Sequence, residues 1–413
     1  MQLNSFFKKE YGRLLGILVN YFKDLELAED SLQEAMLAAI DHSMDTKARE
    51  EKEFFQWIVK TAKNKGIDSI RRESRRQSKT LQLVTQQQAF LLEDPLDSMS
   101  ETTEPYENKL KLLFTCCHRA LGEQAQVILT LKCIVGLHVR EIASALLMQE
   151  EAVAKALTRA KKKIREAGIP FLETSEQMQD PQKLSQVLAI LYLIFNEGYL
   201  SATHAQRLRT ELCEEAMLLA SELSLVLKNQ SEVFGLLALM GFHHSRRHAR
   251  FDDKRQLVQL AEQDPKKYDT ELIARATSYI QKSFHLQIGG LYQTQAYIAA
   301  IHARAIEEEV DWRKISFLYK YLLQDYSTPV LYLNYAVALR KAGELDDAKR
   351  VLFARELQAV LEYKYSYYHL ARAEFYLEEN DLVNARLEYT TALKISKSRQ
   401  DIEFIKEKLQ KLP

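Results

Sequence analysis

The sequence is poor in residues that interrupt helices. Its 413 residues include only 12 glycines and seven prolines. Apolar residues recur at steps of three and four over long stretches, which is the spacing of amphipathic helices. The alternating pattern of strands bounded by turn residues is hard to find. We therefore predict an all-α fold.

Other absences narrow the class of protein. Four cysteines are too few and too unevenly placed for a disulfide framework, which suits a reducing cytoplasm. No apolar run reaches the length of a membrane span, and no signal-peptide pattern opens the chain. Equal numbers of basic and acidic residues, 57 each, give a net charge of zero that predicts no partner. We expect a cytoplasmic protein without membrane segments and with several domains.

The charge is nevertheless unevenly distributed. Residues 60–79 hold eight lysines or arginines against two acids, whereas residues 80–105 hold five acids and no basic residue. The first stretch continues a helical pattern that ends near Arg76. The second mixes glutamine, serine, threonine and acids, and is typical of a linker.

The first basic block, Trp57–Arg76, combines an aromatic residue with cations. Its polar side carries Lys60, Lys63, Asn64, Arg71, Arg72 and Arg75. Stacking on bases and neutralising phosphates is how proteins hold single-stranded DNA. Two structural alternatives stay open. Trp57 lies beside Phe54, which favours a place in the core, and the arginines also suit a solvated helix end.

The second basic block, Leu137–Ile164, has the pattern of a helix-turn-helix. It predicts a supporting helix over Val139–Leu147, a turn at Met148–Glu150 and a recognition helix over Glu151–Arg165. One side of the last helix is apolar, and the other carries Lys155, Thr158 and Lys162 with Arg159 on its flank. An ordinary basic surface helix is the alternative. Acids at 150 and 151 favour the helix dipole but would face phosphates badly.

Residues 5–40 predict two amphipathic helices, followed by a polar loop over 41–52. The inward positions of the second helix are predicted to be Leu27, Leu32, Met36, Leu37 and Ile40.

Residues 180–413 form a run of amphipathic helices with two self-similar segments near 330–396. Ala336 and Ala348 flank Gly343, and Ala373 and Ala385 flank Asn380, 37 positions later. The pattern resembles two tetratricopeptide-type hairpins. Small residues let paired helices approach, and glycine or asparagine permits a positive-φ turn between them.

Two clusters suggest metal or catalytic chemistry but fit it poorly. Cys116, Cys117 and His118 with Cys133 match no common zinc spacing. His243 and His244 are not accompanied by a cysteine or carboxylate that would complete a site. No nucleophile–base pair or phosphate-binding glycine loop is evident. We expect no metal, no cofactor and no catalytic residues.

The combined motifs resemble the sigma factors of bacterial RNA polymerase, in their extracytoplasmic-function group. Tyr11–Leu15, Asp24–Ala35 and Trp57–Arg72 are similar to the second conserved region, and residues 106–168 to the fourth. Phe114–His118 resembles a subgroup with a long C-terminal extension. Five further signatures of that extension follow in order at 193–199, 236–240, 261–264, 292–296 and 311–312.

The resemblance implies a domain order and a set of contacts. Residues 1–76 would form the region-two domain, 77–105 an acidic linker, 106–170 the region-four helix-turn-helix domain, and 180–413 the helical extension. Contacts with the β′ clamp helices would come from Asp30, Gln33 and Glu34, although a plain acidic helix face is the alternative. Contacts with the −10 element would come from Trp57, Lys60, Lys63, Asn64, Asp68, Arg71, Arg72 and Arg75. Contacts with the −35 duplex would come from Lys155, Thr158, Arg159 and Lys162.

The implied function is a non-enzymatic sigma factor. It would bind core polymerase through the β′ clamp helices and the β flap, and direct it to promoter DNA. The loop at 41–52 would capture a flipped base. The extension would regulate initiation through a peptide or protein partner, or by folding back on the sigma regions. Two alternatives remain: a helix-turn-helix regulator that acts on duplex DNA without polymerase, and a C-terminal half that binds or converts a small molecule through Glu197, His243 or His244.

Overall fold

A computed structural model describes most of the chain. The described residues are 3–41, 51–77, 106–171, 174, 176–200, 206–250, 252, 258, 260–304, 309–396 and 399–412. Within them the chain forms nineteen α-helices and no strand, which confirms the all-α prediction. The helices divide into two compact units, Met1–Lys228 and Asn229–Pro413.

The first unit contains nine helices. They are α1 (Leu3–Phe22), α2 (Leu25–Asp41), α3 (Glu51–Gln77), α4 (Glu107–Cys116), α5 (Glu123–Cys133), α6 (Val139–Ala145), α7 (Glu150–Glu166), α8 (Pro181–Leu200) and α9 (Gln206–Val226). Helices α1 to α3 pack on one another around Leu14, Leu18, Leu32, Phe54 and Ile58, all fully buried.

The prediction for two of the five inward positions of α2 was wrong. Leu37 is 61% exposed and Ile40 is 53% exposed, whereas both were expected to face inward. Leu32 is buried as predicted, and the rest of the inward stripe is made by Leu25, Ala28, Ala35 and Ala39, which are at most 4% exposed. The stripe is therefore made mostly of small residues, which let α1 and α3 approach α2 closely. Leu37 and Ile40 are left on the surface.

Helix α1 also packs directly on α4 and on the end of α5. Two glycines four residues apart make this approach possible. A Cβ on Gly12 would lie 2.3 Å from the Ile134 carbonyl oxygen, and one on Gly16 would lie 2.6 Å from the Asn108 carbonyl oxygen. The obstructing atoms belong to the backbone, so they cannot rotate away. The first three helices and the helix-turn-helix are thus joined without an intervening layer of side chains.

Helices α5, α6 and α7 form the helix-turn-helix core. The tight turn before α7 places Leu147 at a φ of 53°. This left-handed conformation is uncommon for leucine, and the side chain is 74% exposed. The backbone N–H of Met148 donates to the Ala143 carbonyl at 2.9 Å, which fixes the direction in which α7 leaves the turn.

Helices α8 and α9 also belong to the first unit. Helix α8 packs on α4 and α5, and α9 packs along α8. The Lys109 Nζ atom of α4 lies 3.0 Å and 2.8 Å from the two carboxylate oxygens of Glu222 on α9, and both side chains are buried. A second, exposed pair joins Lys8 of α1 to Glu211 of α9 at 3.2 Å. Ion pairs therefore join α9 both to α1 and to α4.

The second unit contains ten helices. They are α10 (Ser231–Ser245), α11 (Thr270–Leu286), α12 (Leu291–Ala303), α13 (Trp312–Asp325), α14 (Pro329–Lys341), α15 (Leu345–Leu352), α16 (Arg355–Leu361), α17 (Ser366–Glu378), α18 (Leu382–Ile395) and α19 (Arg399–Gln410). Helix α10 is buried over almost its whole length between α11 and α12. No helix in the described part of the chain is long and apolar enough to cross a membrane.

Two helical hairpins lie where the repeat predicted them. Helices α14 and α15 turn at Gly343, with a φ of +82°, and α17 and α18 turn at Asn380, with a φ of +60°. The four alanines of the repeat are at most 1% exposed, so they pack at the crossings as expected. Helix α16 lies between the hairpins and accounts for the longer spacing of the repeat.

Candidate nucleic-acid interface

The polar side of α7 is a continuous exposed surface. Its inward side is anchored by Val153, Leu157, Ala160 and Ile164, which are buried against α5 and α6. The side chains opposite this anchor are all exposed, and they are Lys155, Thr158, Arg159 and Lys162. The structure thus brings together the four residues that the sequence predicted for this face. We name this surface the reading face.

The charges of the reading face are available for a new partner. Lys155 lies 3.8 Å from Glu151, and Lys162 lies 3.5 Å from Glu166, in pairs that are all more than 60% exposed. Exposed ion pairs of this kind contribute at most about 1 kcal/mol. Exchanging them for contacts with phosphates or guanine edges therefore costs little.

Helix α3 carries a second exposed polar face. Lys60, Asn64, Asp68, Arg71 and Arg72 are all exposed on it. Arg71 lies 3.8 Å from Asp68 in an exposed pair. Helix α3 continues past Arg75, whose side chain lies outside the described residues.

Two residues of the first basic block, Lys63 and Trp57, are not exposed on that face. Lys63 is only 6% exposed, and its Nζ atom lies 4.9 Å from the centre of the Tyr21 ring. Burial against Tyr21 therefore separates Lys63 from the exposed cations with which it was predicted to act. Trp57 is half-buried and stacks on Phe54 at 6.2 Å, so it belongs partly to the core.

Helix α2 presents a mixed acidic and apolar face. Asp30, Gln33 and Glu34 are exposed, and they lie on the same side of the helix as the exposed Leu37 and Ile40. The steps of three and four between these positions place all five side chains on one side. Sequence reasoning missed the two apolar members because their spacing also fits a buried stripe. We name this surface the α2 face.

The flank of α7 is bonded to α2. Lys161 forms an ion pair with Glu29, and Arg165 forms one with Glu26. The Glu29 carboxylate is 4% exposed, and it also lies 3.6 Å from Lys132 Nζ and accepts a hydrogen bond of 3.5 Å from the Tyr11 hydroxyl. Glu29 therefore joins α1, α2, α5 and α7 at one point.

Burial and the charge of Glu29 shift the pKa values of neighbouring groups. Burial lowers the pKa of Lys161, but the hydrogen bond and the charge of Glu29 outweigh it, so the pKa is raised overall. Burial, followed by the charge of Glu29, raises the pKa of the Tyr11 phenol well above its usual value. The pKa of Asp30 is raised by partial burial and by Glu29, and Lys161 opposes this rise. Lys161 therefore stays charged beside both carboxylates.

Two further predictions fall on other parts of the chain. The base-capturing loop, apart from residues 41, 51 and 52, lies outside the described residues, and so does the acidic linker beyond Gln77.

Cys116, Cys117 and Cys133 are buried, and burial raises the pKa of Cys117 to about 12. A buried thiol of this kind is unreactive.

Comparison with known families gives three matches in chain order. Residues 6–76 match sigma-70 region 2, and residues 111–164 match sigma-70 region 4. Residues 183–284 match a family of unknown function (DUF6596). The first match covers α1 to α3, and the second covers the helix-turn-helix with the reading face. Neither sigma region is a family of enzymes.

The chain is also similar over almost its whole length to another protein. An uncharacterized protein of Rhizobium meliloti (strain 1021), R00370, is 33% identical over 407 residues, which cover 96% of this chain and 93% of the relative. No solved structure gives a significant match. With the two sigma regions in order and the extension behind them, the chain belongs to the sigma-70 factors, as an extracytoplasmic-function-like sigma factor with a long C-terminal extension that directs RNA polymerase to promoters.

Proposed function

We propose that this sigma factor binds core polymerase through the α2 face, and that Leu37 and Ile40 act there together with Asp30, Gln33 and Glu34. The observation that carries this proposal is the exposure of two large apolar side chains in line with the predicted contact residues. A clamp helix with basic and apolar residues would complement such a face.

The energy of the proposed contact is expected to come mainly from its apolar members. Fully burying an exposed leucine or isoleucine contributes about 1.5–3 kcal/mol. Exposed carboxylates contribute less, and they chiefly steer and orient the partner. Interfaces of this type concentrate affinity in a few anchoring side chains surrounded by polar contacts.

Replacing Leu37 with aspartate should weaken binding to core polymerase by about tenfold or more, because it removes the burial of about 1.5–3 kcal/mol and adds a charge to desolvate. Leu387→Asp is the matched control, since Leu387 in the second unit is also 61% exposed. Binding of each variant to immobilised core polymerase would be measured by interferometry. Equal affinity of the two variants would contradict this assignment.

We further propose that the reading face binds the −35 element as duplex, and that α3 holds the −10 element with Lys60, Asn64, Asp68, Arg71 and Arg72. Trp57 and Arg75 complete the proposed −10 set, whereas the burial of Lys63 leaves it as a packing residue in this arrangement. In the reading face, Arg159 and the lysines supply donors for guanine edges or phosphates.

Replacing Arg159 with alanine should cost about 1–3 kcal/mol of promoter affinity if the arginine reads a base, and the loss should vanish on a promoter with that base pair changed. Arg119→Ala is the control, because Arg119 is exposed on the same domain outside α6 and α7. Affinities of the holoenzyme would be compared on a set of single-base −35 variants. A uniform loss on every promoter would instead identify Arg159 as a phosphate contact.

We propose that the extension regulates initiation in two parts. Helices α8 and α9 support the sigma regions, because α8 packs on α4 and α5 and α9 carries both Glu211 and Glu222. The second unit would receive the regulatory signal, and its paired hairpins offer a surface for a peptide or protein partner.

Because α8 and α9 belong to the first unit, a truncation that tests the second unit should end at Lys228 and not near residue 180. A cut near residue 180 would remove Glu222 and leave Lys109 without its buried partner. A chain ending at Lys228 keeps the first unit intact. Run-off transcription by core polymerase with residues 1–228, compared with the full chain, would isolate the second unit. Identical transcript levels from both forms would contradict a regulatory role for the second unit.

A further inference from the structure

We propose that a small cavity at the junction of region four and the extension binds a small carboxylate with an apolar body, such as an aromatic acid. The cavity has a volume of about 170 Å³ and lies within the first unit. Its walls come from the end of α4, from the chain that follows α7 and from the start of α8. The site shares no residue with the polymerase and promoter contacts proposed above.

The cavity gives a role to a motif that none of those contacts uses. All residues of the segment Phe114–His118 except Cys116 line the cavity. This is the segment that resembles the subgroup of sigma factors with a long C-terminal extension. Another wall comes from the first turns of α8, where the extension begins, and it includes Gln182, Lys183 and Gln186. The motif and the extension therefore form the site together.

Hydrogen bonds hold these walls in place without a ligand. The Gln186 amide of α8 donates to the side-chain oxygen of Gln126 on α5 at 2.8 Å. Gln126 is 1% exposed, and its own amide donates to the backbone carbonyls of His118 at 3.1 Å and Leu121 at 2.7 Å. A ligand does not have to order such a site, which reduces the entropic cost of binding.

The buried part of the lining is mainly apolar. Phe114 is 5% exposed and Cys117 is 2% exposed, and Pro170 adds an apolar surface from the chain after α7. The hydroxyl of the buried Thr115 donates to the Lys111 carbonyl at 3.3 Å. An apolar cavity of about 150 Å³ is large enough to hold benzene. The volume of about 170 Å³ therefore matches one ring, or a branched chain of similar size.

The exposed part of the lining is basic. Arg119 and Lys183 are both exposed, and neither has an ion-pair partner within the described part of the chain. Asp180 is the acid of this lining, and it caps α8, because its Oδ1 atom accepts from the backbone N–H groups of Gln182 at 2.9 Å and Lys183 at 3.2 Å. Two cations against one carboxylate leave a surplus of one positive charge, which favours an anionic ligand.

His118 adds a hydrogen-bond donor beside these charges. Its Nδ1 atom accepts from the Ala120 backbone N–H at 3.2 Å, so the ring proton lies on Nε2. Burial, followed by the charges of Arg119 and Lys183, lowers the pKa of His118, which keeps the ring neutral at pH 7. A carboxylate can accept from Nε2–H and pair with a cation, while its apolar body lies against Phe114.

Benzoate is a suitable probe, because it combines one ring with one carboxylate. Benzyl alcohol keeps the ring without the charge, and acetate keeps the carboxylate without the ring. Titrations of the full chain, followed by saturation-transfer NMR, would give the dissociation constant of each compound. Lys183→Met removes a cation of the cavity, and the control Lys163→Met removes an exposed cation of α7 that does not line it. The promoter assays with Arg119→Ala contain no such compound, so that control is unaffected.

We expect benzoate to bind about tenfold more tightly than benzyl alcohol or acetate. Lys183→Met should raise the dissociation constant of benzoate by about tenfold, because a hydrogen bond to a charged group is lost, whereas Lys163→Met should not change it. Bound benzoate should also raise the pKa of His118, because a nearby anion favours the imidazolium. The NMR signal of His118 is the one that disappears in His118→Gln.

Three results would overturn this assignment. Absence of benzoate binding would overturn the site itself. Equal affinities for benzoate and benzyl alcohol would overturn the recognition of an anion. Equal affinities of the two lysine variants for benzoate, or an unchanged pKa of His118 at saturating benzoate, would overturn the location.

Discussion

At pH 5 the second unit should unfold at a clearly lower urea concentration than at pH 7, because it buries histidines in their neutral form. Burial, with the nearby Arg247, lowers the pKa of His244 to about 4. Burial and Arg246 lower the pKa of His302 to about 4 as well. Burial, followed by the charges of Arg246 and Arg250, places the pKa of His243 well below its usual range.

The direction follows from which state binds protons first. A histidine in the unfolded chain has a pKa near 6.5. Below that pH the unfolded chain therefore binds protons that the folded unit does not bind. The contribution of these histidines to the free energy of unfolding is therefore complete above about pH 6.5 and is lost as the pH falls toward 4. For His244 and His302 the loss at pH 5 amounts to about 2 kcal/mol each.

One histidine acts in the opposite direction. Burial lowers the pKa of His369, but its hydrogen bonds to the Glu388 carboxylate and the Glu362 carbonyl outweigh burial and raise that pKa overall. Its contribution is complete below about pH 6.5 and is lost as the pH rises through the raised pKa. His369 therefore stabilises the unit at acidic pH. Single substitutions are needed to isolate the contributions of the other histidines to the pH dependence.

The chain offers a local reporter for this comparison. It has two tryptophans, and the Trp312 ring lies 5.3 Å from the His302 ring. In a Trp57→Phe background, Trp312 fluorescence would follow urea unfolding of the second unit at pH 7 and pH 5. His302→Phe keeps an aromatic ring and should reduce the difference between the two midpoints. A difference that is the same with and without His302 would show that this residue does not cause it.

Replacing Lys109 with methionine should destabilise the first unit by about 3–5 kcal/mol, because it leaves the Glu222 carboxylate buried without a counter-charge. The two side chains are 7% and 8% exposed, so water cannot replace the lost partner. The double variant Lys109→Met with Glu222→Leu should recover most of the loss, since well-packed apolar groups often replace a buried ion pair at no cost.

Trp57 fluorescence in a Trp312→Phe background would measure these changes during urea unfolding. Lys8→Met is the matched control, because Lys8 also pairs with α9 but is 47% exposed. Its effect should stay below about 1 kcal/mol. If Lys109→Met lowered the free energy of unfolding no more than Lys8→Met, the buried pair would not be the main interaction between α9 and α4.

The local patterns of the sequence were sufficient for much of this structure. The reading face depends on helical spacing alone, since Leu157 and Ile164 face inward whenever the segment is helical. The hairpin turns at Gly343 and Asn380 depend on the backbone preference of those residues. Both features are determined within about one turn of helix, so sequence reasoning reaches them.

The remaining features depend on partners that are distant in sequence. Leu37 was expected to be buried and is exposed, whereas Lys63 was expected to be exposed and is buried against Tyr21 of the neighbouring helix α1. Glu29 is an unremarkable acid in a helix until Lys132 and Lys161 reach it from more than a hundred positions away. Periodicity contains no information about such pairings.

The boundary between the two units also bears on how such chains are inherited. The segment that matches a single family, residues 183–284, supplies α8 and α9 to the first unit and α10 and α11 to the second. A gene fragment with those limits would encode two of the nine helices of the first unit and two of the ten helices of the second. Recombination that transplanted it alone would separate Glu222 from Lys109, so the extension is expected to travel between genomes only together with the sigma regions in front of it.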